Sequence, residues 1–323
     1  MNILVTGGAG YLGSVLVPTL LQPSASPRGE QGYKVTVLDN FMYNQTSLLD
    51  CCIDPKLTIV RGDTRDEGLI RPLIQDADAI FPLACLTGAP LCDKSPQDAQ
   101  EIIIDALRLI LKYRSKNQVV IYPTTNSGYG VGEKGKFCTE ETPLRPISLY
   151  GRLKVQAEEE VLSAGNGITL RLATAFGISP RMRLDLLVND FTYKAFHHRY
   201  IELFEPHFKR NFIHVRDVAK AFIHGLNHFD TMKGQAFNVG LSDANLSKLE
   251  LCQEIQKHIP DFKFTESKDG KDPDKRDYIV SNEKIEKTGF KPAVSLSLGI
   301  QELIKGFKIL NQHRSPTVML TNV

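Results

Sequence analysis

The sequence predicts a doubly wound α/β fold with a smaller α+β region towards the C-terminus. Short runs rich in Val, Ile and Leu alternate with helical patterns through the first two-fifths of the chain. This alternation is typical of a parallel sheet that is covered by helices on both faces. A glycine-rich turn, Thr6 to Gly13, separates the first run from the first helical pattern, as expected for a Rossmann-type unit.

Five runs predict the first five strands. They lie at residues 2–7, 34–40, 57–63, 77–84 and 118–124. None alternates cleanly between apolar and polar residues, so each is expected to be buried on both faces. A helical pattern covers residues 11–21, where Pro18 must kink the helix or end it early.

The remaining segments are less regular. Residues 22–32 are rich in Pro, Ser and Gly, which predicts an exposed, mobile loop. Residues 211–226 predict a strand end followed by a helix, and residues 235–240 predict another strand. We therefore expect a dinucleotide-binding domain at 1–175, to which the strand and helix of about 210–240 return. Residues 176–323 are expected to be mainly substrate-binding.

Composition narrows the class of protein. The chain has 323 residues, of which 42% are hydrophobic and 24% charged, with a formal net charge of +2. These values predict a soluble protein with no nucleic-acid or membrane partner, and the absence of a signal-peptide pattern predicts a cytoplasmic location. The six cysteines form no C-x-x-C pair, so we expect free thiols and no metal site.

The glycine turn predicts a phosphate-binding site. Gly8, Gly10 and Gly13 satisfy G-x-G-x-x-G, and Gly7, Gly10 and Gly13 give the spacing G-x-x-G-x-x-G. Glycines allow the backbone to approach a pyrophosphate, and the helix N-terminus adds partial positive charge. A tight turn without a ligand is the alternative. The residues that we expect to hold the cofactor here are Gly7, Gly10, Tyr11, Leu12 and Gly13.

Asp39 ends the second predicted strand, 26 residues after Gly13. A carboxylate at this position accepts hydrogen bonds from the adenosine ribose and repels a 2′-phosphate. Since no Arg or Lys follows directly, the sequence favours NAD over NADP; a capping role for Asp39 is the alternative. Asp63 and Thr64 are candidates for adenine contact or for a turn. The other residues assigned to this cofactor site are Asn40 and Leu83.

Tyr150 and Lys154 lie four residues apart in a predicted helix, so they share one face. A nearby ammonium, together with a positively charged nicotinamide, would favour the phenolate and make Tyr150 a usable base at neutral pH. A surface tyrosine and lysine on an amphipathic helix are the alternative.

These motifs together resemble the extended short-chain dehydrogenase/reductase family. They are "TGGAGYLG", Asp39, "GDTRD", "PTTNSGYG" and "YGRLK" in this order, followed by "RNFIHVRDVAKAF" and "KRDYIVSNEKIEKTGFKP". More narrowly, the chain resembles the NAD-dependent nucleotide-sugar epimerase/dehydratase group. The resemblance implies NAD as cofactor and a nucleoside-diphosphate sugar as substrate. It also implies a homodimer through the Tyr150 helix, although that helix's apolar residues could equally pack in the core: Leu153, Val155, Val161 and Leu162.

The resemblance also implies roles for single residues. Thr125 would hydrogen-bond the sugar 4-hydroxyl, Tyr150 would take its proton, and Lys154 would hold the nicotinamide ribose and lower the Tyr150 pKa. The positions that match substrate-binding residues are Asn126, Thr174, Arg210 and Arg276. For the two arginines, an ordinary surface charge is the alternative.

One departure from the group's pattern narrows the reaction. Where 4,6-dehydratases have Asp and Glu after the catalytic threonine, this chain has Asn126 and Ser127, which cannot exchange protons as carboxylates do near neutral pH. Dehydration and decarboxylation are therefore disfavoured, and 4-epimerisation is the leading hypothesis. A C4 dehydrogenase or ketoreductase that releases the keto sugar stays open, as does a non-catalytic NAD-binding scaffold. Cys85, which replaces a more usual Ala, is interpreted as a small buried thiol.

Overall fold

The computed structural model describes residues 1–26, 32–267 and 276–310. Its main unit is a parallel seven-stranded sheet, which confirms the predicted fold class. The strands follow the spatial order β11-β7-β5-β4-β1-β2-β3. Their bounds are β1 Asn2–Thr6, β2 Lys34–Asp39, β3 Leu57–Arg61, β4 Ala79–Pro82, β5 Val119–Thr125, β7 Gly167–Leu172 and β11 Ala236–Val239.

Helices cover both faces of this sheet, because successive residues of each strand point to opposite sides. Ile3 and Val5 of β1 belong to one hydrophobic cluster, whereas Leu4 between them belongs to another. The helices that cover the two faces are α1 Gly13–Leu21, α2 Glu67–Asp76, α5 Ala106–Tyr113, α6 Leu149–Ser163 and α8 Val215–Asn227. Short helical turns lead into α5, namely α3 Ala89–Lys94, α4 Pro96–Gln100 and a π-helical segment, Glu101–Asp105.

All five predicted N-terminal strands are present, with one correction. β3 is the edge strand, and Ile59 within it is 39% exposed, so the expectation that every run is buried on both faces was wrong for this strand. The α1 helix continues through Pro18 to Leu21. Of the predicted loop at 22–32, residues 23–25 form one short 3₁₀ turn, and residues 27–31 lie outside the described residues.

A smaller α+β region is built from the later chain. Its strands are β6 Phe137–Cys138, β8 Thr174–Phe176, β9 Tyr200–Leu203, β10 Lys209–His214, β12 Asn245–Ser247, β13 Lys263–Glu266 and β14 Ile279–Val280. Its helices are α7 Leu187–His198, α10 Lys248–Gln256, α11 Glu283–Glu286 and α12 Leu296–Phe307. The short helix α9 Phe229–Met232 follows α8 and contacts it.

The segment of about 210–240 is divided between the two regions. β11 joins the large sheet beside β7, and α8 packs against α1, whereas β10 lies in a three-stranded sheet with β8 and β12. The boundary at residue 175 therefore stays a prediction. In the described part of the chain, no helix combines the length and apolar character needed to cross a bilayer.

Only part of the apolar stripe of α6 is buried in the core. Leu153 and Val161 are buried, while Val155 and Leu162 are half-buried. The outer surface of the helix presents Arg152 and Glu159 to solvent. The homodimer stays a prediction.

Gly177 joins the two regions. Its carbonyl accepts a hydrogen bond from the Tyr11 hydroxyl at 2.8 Å. Its φ of +108° and its lack of a side chain leave room for the His214 ring, since a Cβ there would lie 2.2 Å from His214 Nε2. That ring is fully buried and hydrogen-bonds Glu302 at 2.7 Å. Burial opposes ionisation of Glu302, yet hydrogen bonds from His214, the Ile178 N–H and Arg216 lower its pKa to about 2.

We expect Gly177→Ala to destabilise the protein by at least about 3 kcal/mol, because an L-residue is strained at positive φ and the pinned His214 ring must move. Gly234→Ala is the matched control. It also has positive φ, +75°, but no heavy atom lies within 4 Å of its ideal Cβ, so only about 1 kcal/mol should be lost. Thermal denaturation of both variants measures the difference; equal losses would contradict the steric account.

Candidate active site

A cleft of 310 Å³ opens at the carboxyl ends of the parallel strands, which is where ligands bind in open α/β sheets. Its walls are the segments that directly follow β1, β2, β3, β4, β5 and β7, together with parts of α6 and of the smaller region. The topology therefore brings residues that are far apart in the sequence to one edge of the sheet.

The glycine turn forms the floor of this cleft. All five residues predicted there line it: Gly7, Gly10, Tyr11, Leu12 and Gly13. Gly7 has a φ of +69°, and a Cβ on it would lie 2.6 Å from the Ala84 nitrogen. Helix α1 begins at Gly13, and its N-cap side chain makes no capping hydrogen bond. The turn thus offers a close backbone approach and an uncapped helix N-terminus, which fit a dinucleotide pyrophosphate.

Asp39 lies at the next strand end and also lines the cleft. Its carboxylate accepts hydrogen bonds from the Ala9 N–H at 3.0 Å, the Phe41 N–H at 2.8 Å and the Gln45 amide at 3.2 Å. Burial raises the Asp39 pKa, while these donors oppose the rise. The two oxygens of a carboxylate can together accept about four hydrogen bonds. The three donors therefore leave room for a hydrogen bond from one ribose hydroxyl.

The other predicted cofactor residues also line the cleft: Asn40, Asp63, Thr64 and Leu83. Asp63 is paired with Arg65 at 2.8 Å, and the hydrogen bond from Arg65 lowers the Asp63 pKa. Arg61, the register partner of Asp39 on β3, has its guanidinium over the Phe41 ring and is not among the lining residues.

Tyr150 and Lys154 reach the cleft from the first turns of α6. Ser148 caps this helix by accepting a hydrogen bond from the Gly151 N–H at 3.1 Å. The Lys154 ammonium is buried and donates to the Tyr122 hydroxyl at 3.1 Å and to the Pro123 carbonyl at 2.9 Å. Two of its three protons are thereby directed to β5, and one remains for a ligand.

Burial has a direct effect on the candidate base. It raises the pKa of Tyr150, and the charge of Lys154 lowers it without cancelling the rise. The side chains of the protein therefore do not by themselves favour phenolate at neutral pH. A positively charged nicotinamide, as the sequence reasoning required, is needed to bring the Tyr150 pKa down.

Thr125 lines the cleft from the end of β5, together with Thr174 and Arg276. The Thr125 hydroxyl accepts a hydrogen bond from the Ser127 N–H at 3.1 Å and donates to the Ser127 hydroxyl at 2.9 Å. Arg276 donates to the same Ser127 oxygen. These contacts hold the two hydroxyls and the guanidinium on one wall.

Two predicted substrate residues are not among the lining residues. Asn126 is 1% exposed, and its amide has no hydrogen-bond partner in the described part of the chain. Arg210 is also buried; it donates to the Lys209 carbonyl and lies over the Tyr278 ring. Tyr278 itself lines the cleft, so Arg210 reaches the cleft only through its contact with that ring.

The sequence reasoning missed several lining residues. Arg181 and Arg183 come from the loop that follows β8, where no periodic pattern marks a site. The Arg181 guanidinium lies 4.3 Å from the Tyr43 ring centre, and Arg183 is paired with Asp185. The run "SPRMRLD", with two arginines after a strand end, was the available signal. Also missed were Tyr43, Leu86, Thr87 and Tyr278.

A buried polar network supports this wall from below. Glu158 continues the face of α6 that carries Tyr150 and Lys154. Its carboxylate accepts two bonds from Arg171, at 2.7 and 3.0 Å, and one from the Thr124 hydroxyl at 2.9 Å. Arg171 also donates to the Tyr129 hydroxyl at 3.0 Å. The network thus joins α6, β5 and β7 next to Thr125.

The charge distribution along the cleft is uneven. Among the described lining residues, the only carboxylates are Asp39 and Asp63, whereas the Tyr150 side carries Lys154 and Arg276. No group of His, Cys, Asp and Glu side chains in the described ranges is arranged to hold a metal ion.

Comparison with known proteins gives a family match. Residues 3–240 match the model of the NAD dependent epimerase/dehydratase family. The chain is 28% identical to the low-salt glycan biosynthesis protein Agl12 of Haloferax volcanii, over 94% of this chain and 97% of that protein. It is 26% identical to a dTDP-glucose 4,6-dehydratase of Streptomyces niveus, over 95% of this chain and 93% of that protein. It is also 26% identical to a UDP-glucose 4-epimerase of Lactobacillus helveticus, over 80% of this chain and 81% of that protein.

Solved structures agree in fold. A UDP-glucuronic acid 4-epimerase from Bacillus cereus, in complex with UDP-glucuronic acid and NAD, superposes with a TM-score of 0.83 at 24% identity over 96% of this chain and 100% of that chain. DesIV, a dTDP-glucose 4,6-dehydratase from Streptomyces venezuelae, also superposes with a TM-score of 0.83, at 23% identity over 98% of this chain and 100% of that chain.

We expect Glu158→Gln to destabilise the protein by about 3 kcal/mol, because it leaves the Arg171 charge buried without a counterion. The double variant Glu158→Leu/Arg171→Met removes both charges and should recover at least half of that loss, since apolar replacement of a buried ion pair is often tolerated. Denaturant unfolding of Glu158→Leu, Arg171→Met and the double variant gives the coupling free energy. A double variant whose loss of unfolding free energy equals the sum of the two single losses would contradict direct coupling.

Proposed function

The chain belongs to the NAD-dependent epimerase/dehydratase family, and on this premise we propose that it is a 4-epimerase of a nucleoside-diphosphate sugar. As a member of this family it is an NAD-dependent enzyme. The narrower proposal rests on the residues that line the cleft around Tyr150. There Thr125, Tyr150 and Lys154 line the cleft together, and the only carboxylates among its described lining residues, Asp39 and Asp63, lie at the ends of β2 and β3.

The cleft's own residues fit NAD. The glycine turn and the α1 N-terminus would hold the pyrophosphate, Asp39 would hold the adenosine ribose, and Lys154 would hold the nicotinamide ribose. The buried Asp39 carboxylate disfavours a 2′-phosphate by charge repulsion. When bound, NAD supplies a hydride acceptor that can return the hydride to the same carbon.

The protein groups handle the proton of the 4-hydroxyl. Thr125 accepts a hydrogen bond from that hydroxyl and orients it, because its own proton is committed to Ser127. Tyr150 takes the proton as C4 becomes a ketone and gives it back after the sugar has presented its other face. Lys154 stays charged throughout and favours the phenolate form of Tyr150.

The wall around Ser127 supports C4 chemistry over dehydration. Removal of the C6 hydroxyl requires a base at C5 and an acid at C6. The Ser127 hydroxyl is held between Thr125 and Arg276, and the Asn126 amide is buried outside the cleft lining. DesIV, named as a 4,6-dehydratase, shares the fold, so the fold alone does not decide the reaction, and the proposal assigns that choice to these positions.

A screen of UDP-, GDP-, CDP- and dTDP-sugars, with the products identified by NMR, tests the proposal. A 4-epimer formed without net change in the reduced-nicotinamide absorbance supports it. A stoichiometric rise in that absorbance would instead show a C4 dehydrogenase that releases the keto sugar. Absence of turnover with every class of nucleotide sugar would overturn the proposal.

Tyr150→Phe should lower kcat by at least about 10²-fold, because general-base catalysis is lost while the ring still packs. NAD affinity, measured by calorimetry, should change little. Lys154→Met provides the complementary test: since the Lys154 charge lowers the Tyr150 pKa, its loss should move the rising limb of the kcat–pH profile to higher pH. An unshifted limb, or near-normal turnover of Tyr150→Phe, would mean that another group is the base.

Turnover in heavy water should leave the substrate's C5–H free of deuterium and should give no 6-deoxy-4-keto product. This result is expected because no described carboxylate lines the Tyr150 side of the cleft to exchange the C5 proton. Proton NMR of the recovered sugar nucleotide measures both. A deuterium at C5, or a methyl signal from a 6-deoxy sugar, would show that an acid and a base act from elsewhere in the chain.

A further inference from the structure

Lys154 is in contact with a buried tyrosine that the proposed mechanism does not use. Tyr122 lies in β5, is 3% exposed and is not among the described lining residues of the cleft. Its hydroxyl accepts a hydrogen bond from the Lys154 ammonium at 3.1 Å, and the ammonium lies 4.4 Å from the centre of its ring. Because Tyr122 does not line the cleft, it can act on a ligand only through Lys154.

The strand places Tyr122 on the face that helix α6 covers. Tyr122 and Thr124 are two residues apart in β5, so their side chains point to the same side of the sheet. The Thr124 hydroxyl donates to Glu158 of α6 at 2.9 Å, and Tyr122 belongs to the same hydrophobic cluster as Leu153 of α6. Each of the two strand residues therefore holds one polar side chain of the helix, Glu158 in one case and Lys154 in the other.

The contact fixes a group that would otherwise be mobile. A lysine ammonium stands at the end of a flexible four-carbon stem, so its position in a site depends on the contacts that hold it. Lys154 is 3% exposed, and two of its three protons go to the Tyr122 hydroxyl and, at 2.9 Å, to the Pro123 carbonyl. A group that is ordered in advance binds its ligand more tightly, because no ordering cost arises on association.

The surroundings of Lys154 keep its charge available. The titratable groups near the ammonium are Tyr150 on its own helix, Tyr122 on β5, Cys85 in the β4–α3 loop and Cys92 in α3. Cys85 was expected to be buried, but it is only half-buried and lines the cleft. Burial raises the pKa of Tyr122, and the charge of Lys154 only opposes that rise. Tyr122 is therefore a neutral acceptor that holds the ammonium without cancelling its charge.

We propose that Tyr122 is a positioning residue, whose hydroxyl holds the Lys154 ammonium at the place where the nicotinamide ribose of NAD binds. The inference rests on the role of Lys154 in the proposed function, but it does not depend on which reaction follows. Tyr122→Phe removes the hydroxyl and keeps the ring, so Lys154 loses one of its two anchors while the packing between β5 and α6 is preserved.

Calorimetric titration with NAD and with ADP tests the inference, because ADP has the adenosine and the diphosphate but no nicotinamide ribose. Tyr122→Phe should weaken NAD binding at least about fivefold, since Lys154 must then be ordered on association, and should leave ADP binding unchanged. Tyr33→Phe is the matched control. Tyr33 is also buried, its hydroxyl donates to Asn227 at 2.9 Å, and it is not a described lining residue, so neither affinity should change.

A double-mutant cycle shows whether Tyr122 acts through Lys154. In a Lys154→Met background, Tyr122→Phe should cause no further loss of NAD affinity. The inference is overturned if Tyr122→Phe binds NAD as tightly as the unmodified protein, if it weakens NAD and ADP equally, or if its effect persists without Lys154. Lys154→Met alone tests the underlying assignment: unchanged NAD affinity in that variant would remove Lys154 from the cofactor site and overturn both proposals.

Discussion

The buried ion pair between Glu158 and Arg171 fixes the rotation of helix α6, and the geometry of the cleft depends on that rotation. Tyr150, Lys154 and Glu158 follow at intervals of four residues and so share one helix face. Because Glu158 is bonded to both β5 and β7, the other two side chains must point towards the ends of those strands. A buried charge pair is costly to desolvate, but it has few alternative arrangements, which suits a pair that orients other groups.

The same constraint explains why one fold can serve different reactions. The sheet, the glycine turn and α6 set where a sugar ring and a dinucleotide can meet, and proteins named as epimerases and as dehydratases share that frame. The proposed function assigns the choice of reaction to the side chains that stand beside the ring. In this chain the Ser127 hydroxyl lines the cleft, whereas the Asn126 amide that precedes it is buried away from the lining. The proposed restriction to C4 follows from the proton chemistry of these groups, not from the fold.

Much of the fold was predictable because parallel strands and a glycine turn leave local marks in the sequence. The first five strands, the α1 turn and the Tyr150–Lys154 helix face are all local patterns of this kind. β7 was not recognised, because Arg171 interrupts its apolar run; a buried arginine looks exposed until its partner Glu158 is known. Asn126, Arg210, Arg181 and Arg183 show the same limit at the site, since whether a side chain faces the cleft depends on contacts between distant segments.

The position of β11 has a consequence for how the chain is synthesised. This strand covers the free edge of β7, although more than sixty residues separate the two strands along the chain. While a ribosome is still adding that interval, β7 is an unprotected edge that can pair with another nascent chain. A fragment cut at residue 175 would keep that edge permanently open and would lose the acceptor for the Tyr11 hydroxyl. The first 175 residues should therefore aggregate when they are expressed alone, whereas a cut after residue 240 would keep β11 paired with β7.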